Sequence, residues 1–358
     1  MKPLTFVIVG SGWRSLFYAR IAKSYPECFK LEYMLCRSEE KATKMATEYS
    51  IPTTTSAEVC EQAKPDFVVV AVSKNVLCDE TIKWAEKGFP VLCETPAANC
   101  MEDLCRLWDV IQKGAKIQIA EQYHRYPILA AGLKAIREGK LHDPYAVHLS
   151  MAHDYHGVSL IRRMLQPNQP MDLRLESMCG EQYSFPITET DSRYGAITDG
   201  RTKQADRRVV TLKFTNGKVA FYDFSGVQYH SYIRGRHVNV QGRDGEWNDT
   251  FLRYVDEKHQ PQEEKLVAWL APEYACLDNE EVQRLAREWQ PTVDMCNAQD
   301  EYAIASMMYD MKAYIEEGKE VYPMAEALED AYLYLLMQEA IEKPGEKILP
   351  QKMPWQNN

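Results

Sequence analysis

The 358-residue sequence lacks the features that mark membrane, nucleic-acid-binding and secreted proteins. No apolar run approaches the ~20 residues that a membrane-spanning helix needs, and the first run, Leu4–Val9, is too short for the core of a signal peptide. Basic residues are outnumbered, 42 against 52 acidic ones, and a net charge of −10 disfavours binding to phosphate backbones or anionic lipid. We therefore predict a cytoplasmic protein that binds neither nucleic acid nor membranes and acts on a small molecule.

The ten cysteines include no C-x-x-C pair, and Cys93, Cys100 and Cys105 are spaced too irregularly for a zinc knuckle. Most of the others lie in apolar runs, where a thiol behaves as a small hydrophobic group. Cys36 and Cys93 end predicted strands, and we assign them no chemistry. The expectation is a set of reduced, structural thiols in a reducing compartment.

The first third of the chain alternates short apolar runs with helix-length amphipathic stretches. The apolar runs lie at residues 6–9, 31–35, 67–72, 91–93 and 117–120, and the helical stretches at 14–24, 39–49, 76–87 and 101–113. Apolar runs without polar alternation are typical of strands buried on both faces, and their alternation with helices indicates βαβ units. The pattern predicts an α/β Rossmann dinucleotide-binding domain over residues 1–124.

From residue 125 the pattern changes to consecutive strands. Asn216-Gly217 is a hairpin turn signal between two β-rich runs. Strands are expected at 145–151, 209–214, 219–224 and 237–241, helices at 127–138, 300–317 and 324–342, and an exposed loop at 187–208. These elements predict an α+β domain with a mostly antiparallel open sheet over residues 125–358, with the C-terminal helix packing back on the first domain. An open sheet with a free face also predicts a homodimer or homotetramer.

The turn after the first predicted strand has the sequence of a dinucleotide-binding loop. It consists of Gly10, Ser11, Gly12, Trp13, Arg14 and Ser15. In such a loop the first glycine makes the tight turn, the second lets the pyrophosphate approach the backbone, and the third small residue packs helix on strand. The N-terminus of the following helix then donates N–H groups to the anion. The position of the loop in the βαβ series predicts nucleotide binding.

The residues after the second strand distinguish between cofactors. NAD-binding proteins usually carry an acidic residue there for the ribose 2′-hydroxyl, whereas this sequence has Cys36, Arg37 and Ser38. Arginine and serine can bind a 2′-phosphate, and no carboxylate at this point repels it. We predict that NADP is preferred over NAD, and that Arg14, Arg37 and the helix N-terminus form a basic pocket.

In their order and spacing, these motifs resemble the Gfo/Idh/MocA family of oxidoreductases over nearly the whole chain. Besides the glycine loop, the resemblance rests on the turn 71–75, on Glu94-Thr95-Pro96, on Arg125-Tyr126-Pro127 and on the glycine turn 242–245. It implies a Rossmann domain, a second domain that carries the substrate, and hydride transfer between NAD(P) and a hydroxyl carbon of a sugar, polyol or related compound. It also places five residues beside the cofactor: Val72, Ser73, Asn75, Glu94 and Thr95.

The sequence departs from this family at its proton-handling positions. The resemblance implies a lysine in Glu-Lys-Pro and a helix of the form Asp-x-Gly-x-His-x-x-Asp. The lysine position of the first motif holds Thr95. When the helix motif is aligned on Gly157, its histidine position holds Ser159 and its two aspartate positions hold Tyr155 and Arg162. The usual ammonium and imidazole groups are therefore missing, and a threonine hydroxyl cannot replace an ammonium group.

Neighbouring residues could replace the missing groups. His156 or Tyr155 would exchange the proton, Arg162 would stabilise the developing alkoxide, and Thr95 would lie near the nicotinamide. The substrate-side candidates are Tyr123, His124, His153 and Ser159. No metal is predicted, since His153, Asp154, His156 and more distantly His148 do not have a strong ligand spacing.

Two other functions remain open from the sequence. One is a redox-assisted lyase or hydrolase that holds NAD(P) tightly, and the other is a catalytically inactive protein that binds a nucleotide or sugar.

Overall fold

The computed structural model describes residues 2–168, 172–192, 195–266, 296–320 and 322–357, which form two helix-covered sheets. The elements of the first sheet and its helices are β1 (Leu4–Val9), α1 (Ser15–Ser24), β2 (Phe29–Leu35), α2 (Glu39–Tyr49), β3 (Thr53–Thr54), α3 (Ala57–Gln62), β4 (Phe67–Val70), α4 (Lys74–Glu86), β5 (Val91–Cys93), α5 (Met101–Gln112) and β6 (Ile117–Ile119). The strand order is β3-β2-β1-β4-β5-β6, and every pair is parallel. The predicted Rossmann sheet is confirmed.

The reversal of strand order between β1 and β4 determines where a ligand can bind. All residues of β4 are buried, as are the last four of β1, because helices cover both faces of a parallel sheet. In such sheets the crevice outside the carboxyl ends of the strands, at the reversal, is the binding position. The loops after β1, β4, β5 and β6 meet at this edge.

The second sheet has eight strands. Its elements and the helices around it are α6 (Pro127–Arg137), β7 (Ala146–Ser150), α7 (Asp154–Leu165), β8 (Leu175–Thr188), β9 (Asp191–Ser192), β10 (Gly195–Ala196), β11 (Thr202–Phe214), β12 (Val219–Phe224), β13 (His237–Gln241), β14 (Gly245–Asn248), β15 (Phe251–Val255), β16 (Pro261–Lys265), α8 (Cys296–Glu317) and α9 (Met324–Glu342). The order is β16-β15-β14-β13-β7-β12-β11-β8, with β9 and β10 forming a separate two-stranded ribbon. Only β7 and β12 pair in parallel, so the predicted mostly antiparallel sheet is confirmed.

The expectation of an exposed loop at residues 187–208 is wrong. From residue 202 onward the chain is strand β11, which pairs with β8 in an antiparallel register from Thr202↔Thr188 to Phe214↔Leu175. This pair extends past the neighbouring strand β12, whose pairing with β11 ends at Arg208. Most of its side chains beyond that point are therefore in solvent, and the segment is polar although it is a strand.

The last two helices connect the two sheets. Helix α8 packs against α1, and α9 packs against α5, α7 and β8. The Arg125 guanidinium donates to Asp310 on α8 at 2.6 Å, which ties the link after β6 to that helix. None of the helices in the described ranges combines the length and apolar character needed to cross a lipid bilayer.

Candidate active site

The loop after β1 has the geometry of a pyrophosphate site. Gly10 has φ +113°, and a Cβ added there would lie 2.4 Å from the Ala71 carbonyl oxygen, so only glycine fits between β1 and β4. Gly12 has no atom within 4 Å of its Cβ position, which leaves open space over the start of α1. Buried Ser15 donates its hydroxyl to the Ala71 carbonyl at 3.4 Å and packs helix on strand. Because α1 has no acidic residue in its first turn, this loop fits a dinucleotide.

Residues after β2 leave a cationic group exposed at the edge of this cleft. Arg37 is exposed and makes no ion pair within the described ranges. Ser38 caps α2 by accepting a hydrogen bond from the Lys41 amide at 3.3 Å. The Glu39 carboxylate accepts a hydrogen bond from the Thr55 hydroxyl, which gives this acidic group a protein partner.

The structure pairs the predicted pocket residue Arg14 with a carboxylate. Its guanidinium Nε lies 3.1 Å from Glu94 Oε1, and the Tyr18 hydroxyl donates to the same oxygen at 2.6 Å. Burial works to lower the pKa of Arg14, but Glu94 and Asp300 raise it above its usual value. Arg14 therefore balances a buried carboxylate, while its neighbour Trp13 is 47% exposed at the loop.

The loop after β5 continues from this ion pair. The Thr95 amide donates to Glu94 Oε2 at 3.2 Å, and the Thr95–Pro96 peptide bond is cis. The Thr95 side chain is half-buried at the carboxyl edge of the sheet.

Helix α4 begins at the same edge of the sheet. Val72 is half-buried against Gly10, while Ser73, Lys74 and Asn75 are exposed at the helix start. The Asn99 amide donates to the Lys74 carbonyl at 3.1 Å and joins α4 to the chain that follows Pro96. The cofactor candidates after β1, β4 and β5 are thus brought to one edge.

A buried carboxylate–imidazole pair, which we call the Glu121–His156 dyad, lies next to these loops. His156 Nδ1 is 2.6 Å from Glu121 Oε2, and both side chains are almost fully buried. Glu121 lies two residues after the end of β6, and its other oxygen accepts the Tyr123 amide at 2.9 Å. The Tyr123 ring lies 4.5 Å from the His156 ring. Sequence analysis missed Glu121, although an acidic residue directly after a buried strand was a signal for it.

His153 lies beside the dyad at the start of α7. Its ring centroid is 4.9 Å from that of His156, and its Nδ1 is 2.6 Å from the Tyr229 hydroxyl. The same hydroxyl accepts the His153 amide at 2.9 Å and the Tyr123 hydroxyl at 2.9 Å. His153 keeps an exposed surface, but desolvation of its ring and positive groups that include His156 and Lys74 lower its pKa well below the ordinary value. No sequence signal marked Tyr229, which lies in the short 3₁₀ turn Gly226–Tyr229.

A cavity of about 370 Å³ opens next to His153. Its polar lining includes Gln204, Asp206, Ser225 and an ion pair between Arg208 Nη1 and Asp154 Oδ1 at 2.6 Å. Asp154 has φ +45°, a left-handed conformation that is rare for a residue other than glycine, and its amide donates to the Tyr222 hydroxyl at 2.9 Å. Charged and polar groups of both signs therefore face this space.

Three predicted site residues lie instead in the interior between α7 and α9. Arg162 is fully buried and binds Glu326 at 2.7 Å and Asp330 at 2.5 Å. Tyr155 hydrogen-bonds to Tyr322 at 2.9 Å, and Ser159 is fully buried. We therefore leave Tyr155, Ser159 and Arg162 out of the site proposed below.

His124 also lies apart from the two histidines of α7. Its ring is 6.2 Å from Tyr322, and burial together with Arg163 and Arg125 lowers its pKa well below the ordinary value. The 3₁₀ turn Tyr123–Arg125 thus brings Tyr123 to the dyad and directs His124 elsewhere.

Neither the buried thiols nor the possible metal-binding side chains among the described residues add a reactive group to this edge of the sheet. Cys36 and Cys93 are buried, and burial raises the pKa of Cys93 to about 12, which keeps the thiol protonated. Within the described ranges, no group of three or more histidine, cysteine, aspartate or glutamate side chains could hold a metal ion.

The first sheet and its helices are similar in sequence to a known family. Residues 4–122 match the sequence model of an oxidoreductase family with an NAD-binding Rossmann fold. An oxidoreductase from Agrobacterium radiobacter, solved with NAD+, L-tartaric acid and magnesium, is similar over 97% of this chain and 98% of its own, at 11% identity and a TM-score of 0.70.

Two further structures share the fold over the same extent. The WlbA dehydrogenase from Bordetella pertussis, solved with NADH and UDP-GlcNAcA, matches at 16% identity and a TM-score of 0.68, covering 98% of this chain and 99% of its own. A myo-inositol dehydrogenase from Corynebacterium glutamicum matches at 14% identity and 0.67, covering 98% and 100%. Residues 4–122 are thus similar in sequence to the Gfo/Idh/MocA family of oxidoreductases, and the whole chain shares its fold with the solved structures.

Proposed function

We propose that this protein is an NAD(P)-dependent oxidoreductase that transfers a hydride to or from the hydroxyl carbon of a sugar, polyol or related small hydroxy compound. The family match supports the cofactor class. The Glu121–His156 dyad is the observation that supports the reaction type. The dyad lies at the same edge of the first sheet as the glycine loop that follows β1. The similar folds of a myo-inositol dehydrogenase and of an enzyme solved with a nucleotide sugar support the substrate class.

The dyad has the arrangement of a general base. The His156 Nδ1–H donates to the Glu121 carboxylate, which fixes the ring and leaves Nε2 as the atom that accepts a hydroxyl proton. His156 Nε2 makes no hydrogen bond within the described part of the chain. The buried carboxylate then stabilises the imidazolium that forms. When bound, oxidised NAD(P) supplies the hydride acceptor.

The substrate site that we propose is the cavity beside His153. Its carboxylates, amide, hydroxyl and guanidinium can donate and accept hydrogen bonds, as a polyhydroxylated molecule requires. Tyr123 packs against the His156 ring on one side of the dyad. Thr95, in the loop after β5, is the residue that we propose as the nicotinamide neighbour.

NADP is the cofactor form that we propose for this chain. Exposed Arg37 and the Ser38 hydroxyl follow β2, where a 2′-phosphate would lie, and the nearby Glu39 is hydrogen-bonded to Thr55. The glycine loop, Ser73 and Asn75 would hold the rest of the dinucleotide.

The test of the proposed function is a His156→Ala variant assayed with a panel of sugars, polyols and their keto forms. Loss of the general base should lower kcat by about 10²–10⁴-fold while leaving the Kd for NADPH unchanged. His259→Ala, in an exposed turn after β15, is the control and should keep full activity. Full activity of His156→Ala, or no nicotinamide absorbance change with any compound in the wild type, would contradict the proposal.

The organisation around this site is also a proposal. We place the domain boundary near residue 124 and propose a homodimer or homotetramer through the open face of the second sheet. This face, opposite the helices, exposes Tyr183, Val209 and Phe221, and apolar patches of this kind mark interfaces. Light scattering at two or four times the chain mass would support it. Buried, protonated thiols such as Cys93 support the cytoplasmic location that we propose.

A further inference from the structure

We propose that the substrate of this protein is a two-unit sugar, a disaccharide or other glycoside. Its reacting unit lies in the cavity beside His153, and its other unit lies in a second cavity between the end of β8 and the turn that follows β12. This second cavity has a volume of about 340 Å³ and is lined by residues 187–192, Lys203, 226–227 and 230–231. The inference rests on the proposed function and narrows its substrate class.

The two cavities meet at an edge of β11. On one side the strand next to β11 is β12, and their pairing ends at Arg208, so in the described sheet residues 203–206 form an edge there. Side chains alternate between the two faces of a strand. Lys203 accordingly lines the second cavity, while the next residue, Gln204, lines the cavity beside His153. A molecule that crosses this edge therefore contacts both cavities.

A glycine lies at the crossing. Gly226 and Val227, in the turn after β12, line both cavities. A Cβ added to Gly226 would have no atom within 4 Å, so the space beside the backbone is open at this point. The Ser225 hydroxyl donates to the Asp206 carbonyl at 2.6 Å, which holds the start of the turn against the edge of β11. The passage between the cavities is thus open and fixed in position.

The second cavity has the chemistry of a site for a hydroxyl-rich group. Thr188 and Thr190 contribute to its lining, together with the carboxylates of Glu189 and Asp191. The Lys203 ammonium lies 2.5 Å from Glu189, so this cation is neutralised within the wall. Hydroxyl groups can donate and accept, and carboxylates accept from neighbouring hydroxyls, as recognition of a sugar requires.

An exposed aromatic ring stands at the rim of the second cavity. Tyr232 is 75% exposed and follows Ser231 of the lining. Its amide donates to Thr190 Oγ1 at 3.2 Å, and the Arg234 guanidinium donates to the Thr188 carbonyl at 3.4 Å, so the loop is fixed to the chain around it. An aromatic face buries apolar area when the C–H face of a sugar ring packs on it. A sugar unit in the second cavity would cover this ring.

The second cavity also gives a role to the polar extension of β8 and β11. The paired strands continue to Thr202↔Thr188, beyond the end of β12, and most side chains of β11 there are in solvent. Such an extension adds little apolar burial to the fold, but it forms a wall of the second cavity. Binding of a remote unit can be used to favour the reaction at the other unit. We therefore expect kcat/KM for a disaccharide to exceed that for its monosaccharides by about tenfold or more.

Kinetics with matched sugars test this expectation, with glucose and galactose compared with maltose, cellobiose and lactose. In the wild type, at least one disaccharide should have the higher kcat/KM. Tyr232→Ala, and Gly226→Leu, whose side chain fills the passage, should each bring the ratio of disaccharide to monosaccharide kcat/KM close to one. Tyr49→Ala, in the exposed end of α2, is the control and should keep the wild-type ratio. A wild-type ratio near one for every disaccharide, or an unchanged ratio in both test variants, would overturn the inference.

Saturation-transfer NMR of the full-length protein with the same disaccharides tests the second cavity without turnover. We expect both rings of a disaccharide to receive saturation from the wild type, and one ring only in Gly226→Leu. Saturation of a single ring in every disaccharide, or no binding of any, would overturn the inference even if monosaccharides are oxidised. Contact through both rings in a protein that oxidises none of these sugars would instead contradict the proposed function and leave the second cavity as a sugar site.

Discussion

Replacing Arg162 with methionine distinguishes a structural arginine from a catalytic one. The guanidinium is fully buried and binds two carboxylates, Glu326 at 2.7 Å and the fully buried Asp330 at 2.5 Å. Burial works to lower the pKa of Arg162, but these carboxylates raise it above its usual value, so the group stays charged. Removing one partner of a buried ion pair costs about 3–5 kcal/mol, because the remaining charges lose their compensation.

We therefore expect Arg162→Met to lower the free energy of unfolding by about 3–5 kcal/mol, measured by urea denaturation followed by tryptophan fluorescence. The triple variant with Glu326→Gln and Asp330→Asn should recover most of this loss, since it also neutralises the two carboxylates that pair with the guanidinium. Arg253→Met is the matched control: its pair with Glu263 is exposed, and its loss should cost less than about 1 kcal/mol. A loss below about 1 kcal/mol for Arg162→Met would refute this reasoning. So would a stable variant whose kcat has fallen a hundredfold, because that result would place Arg162 in the reaction.

Three further predictions follow from the site. Glu121→Gln should lower kcat by about tenfold or more, because a neutral amide stabilises the His156 imidazolium by roughly 1.4 kcal/mol less than a carboxylate, and an unchanged kcat would contradict the dyad. Burial and neighbouring cations lower the pKa of His124, so below about pH 6.5 the unfolded chain takes up a proton that the folded chain does not. Stability should then decrease as the pH drops, by up to about 1.4 kcal/mol per pH unit for this histidine, and His124→Gln should remove that share from the slope of urea-derived stability against pH; identical slopes would rule this out. Arg37→Ala should weaken NADPH binding at least about tenfold more than NADH binding in calorimetric titrations, and equal losses would exclude a 2′-phosphate contact.

The first sheet could be predicted from the sequence because its signals are local. Buried strands such as Phe67–Val70 are continuous apolar runs, and the position of Gly10 follows from the turn between strand and helix. The same reasoning was wrong for residues 187–208. Pairing with β8 makes the end of this polar segment a strand, although its composition is typical of a loop.

The site was less predictable because its partners are distant in the sequence. Glu121 and His156 are 35 residues apart, and His153 and Tyr229 are 76 apart, so neither pair exists until the two sheets are in place. Tyr155 and Arg162 contact Tyr322 and α9, and alignment on Gly157 cannot show which side of a helix faces the cleft.

In the site that we propose, the left-handed turn at Asp154 connects the cavity beside His153 to the first turn of α7. Two consecutive amides, those of His153 and Asp154, donate to tyrosine hydroxyls of the second domain, and Arg208 holds the Asp154 side chain. A residue other than glycine in this conformation stores about 1–3 kcal/mol of backbone strain. A ligand that draws the Arg208 guanidinium towards itself releases one of the restraints that hold this strain, one residue away from His153. Under the proposed function, the orientation of the first turn of α7 therefore depends on residues that line this cavity, and a substitution there that alters specificity is also expected to alter the alignment of His156.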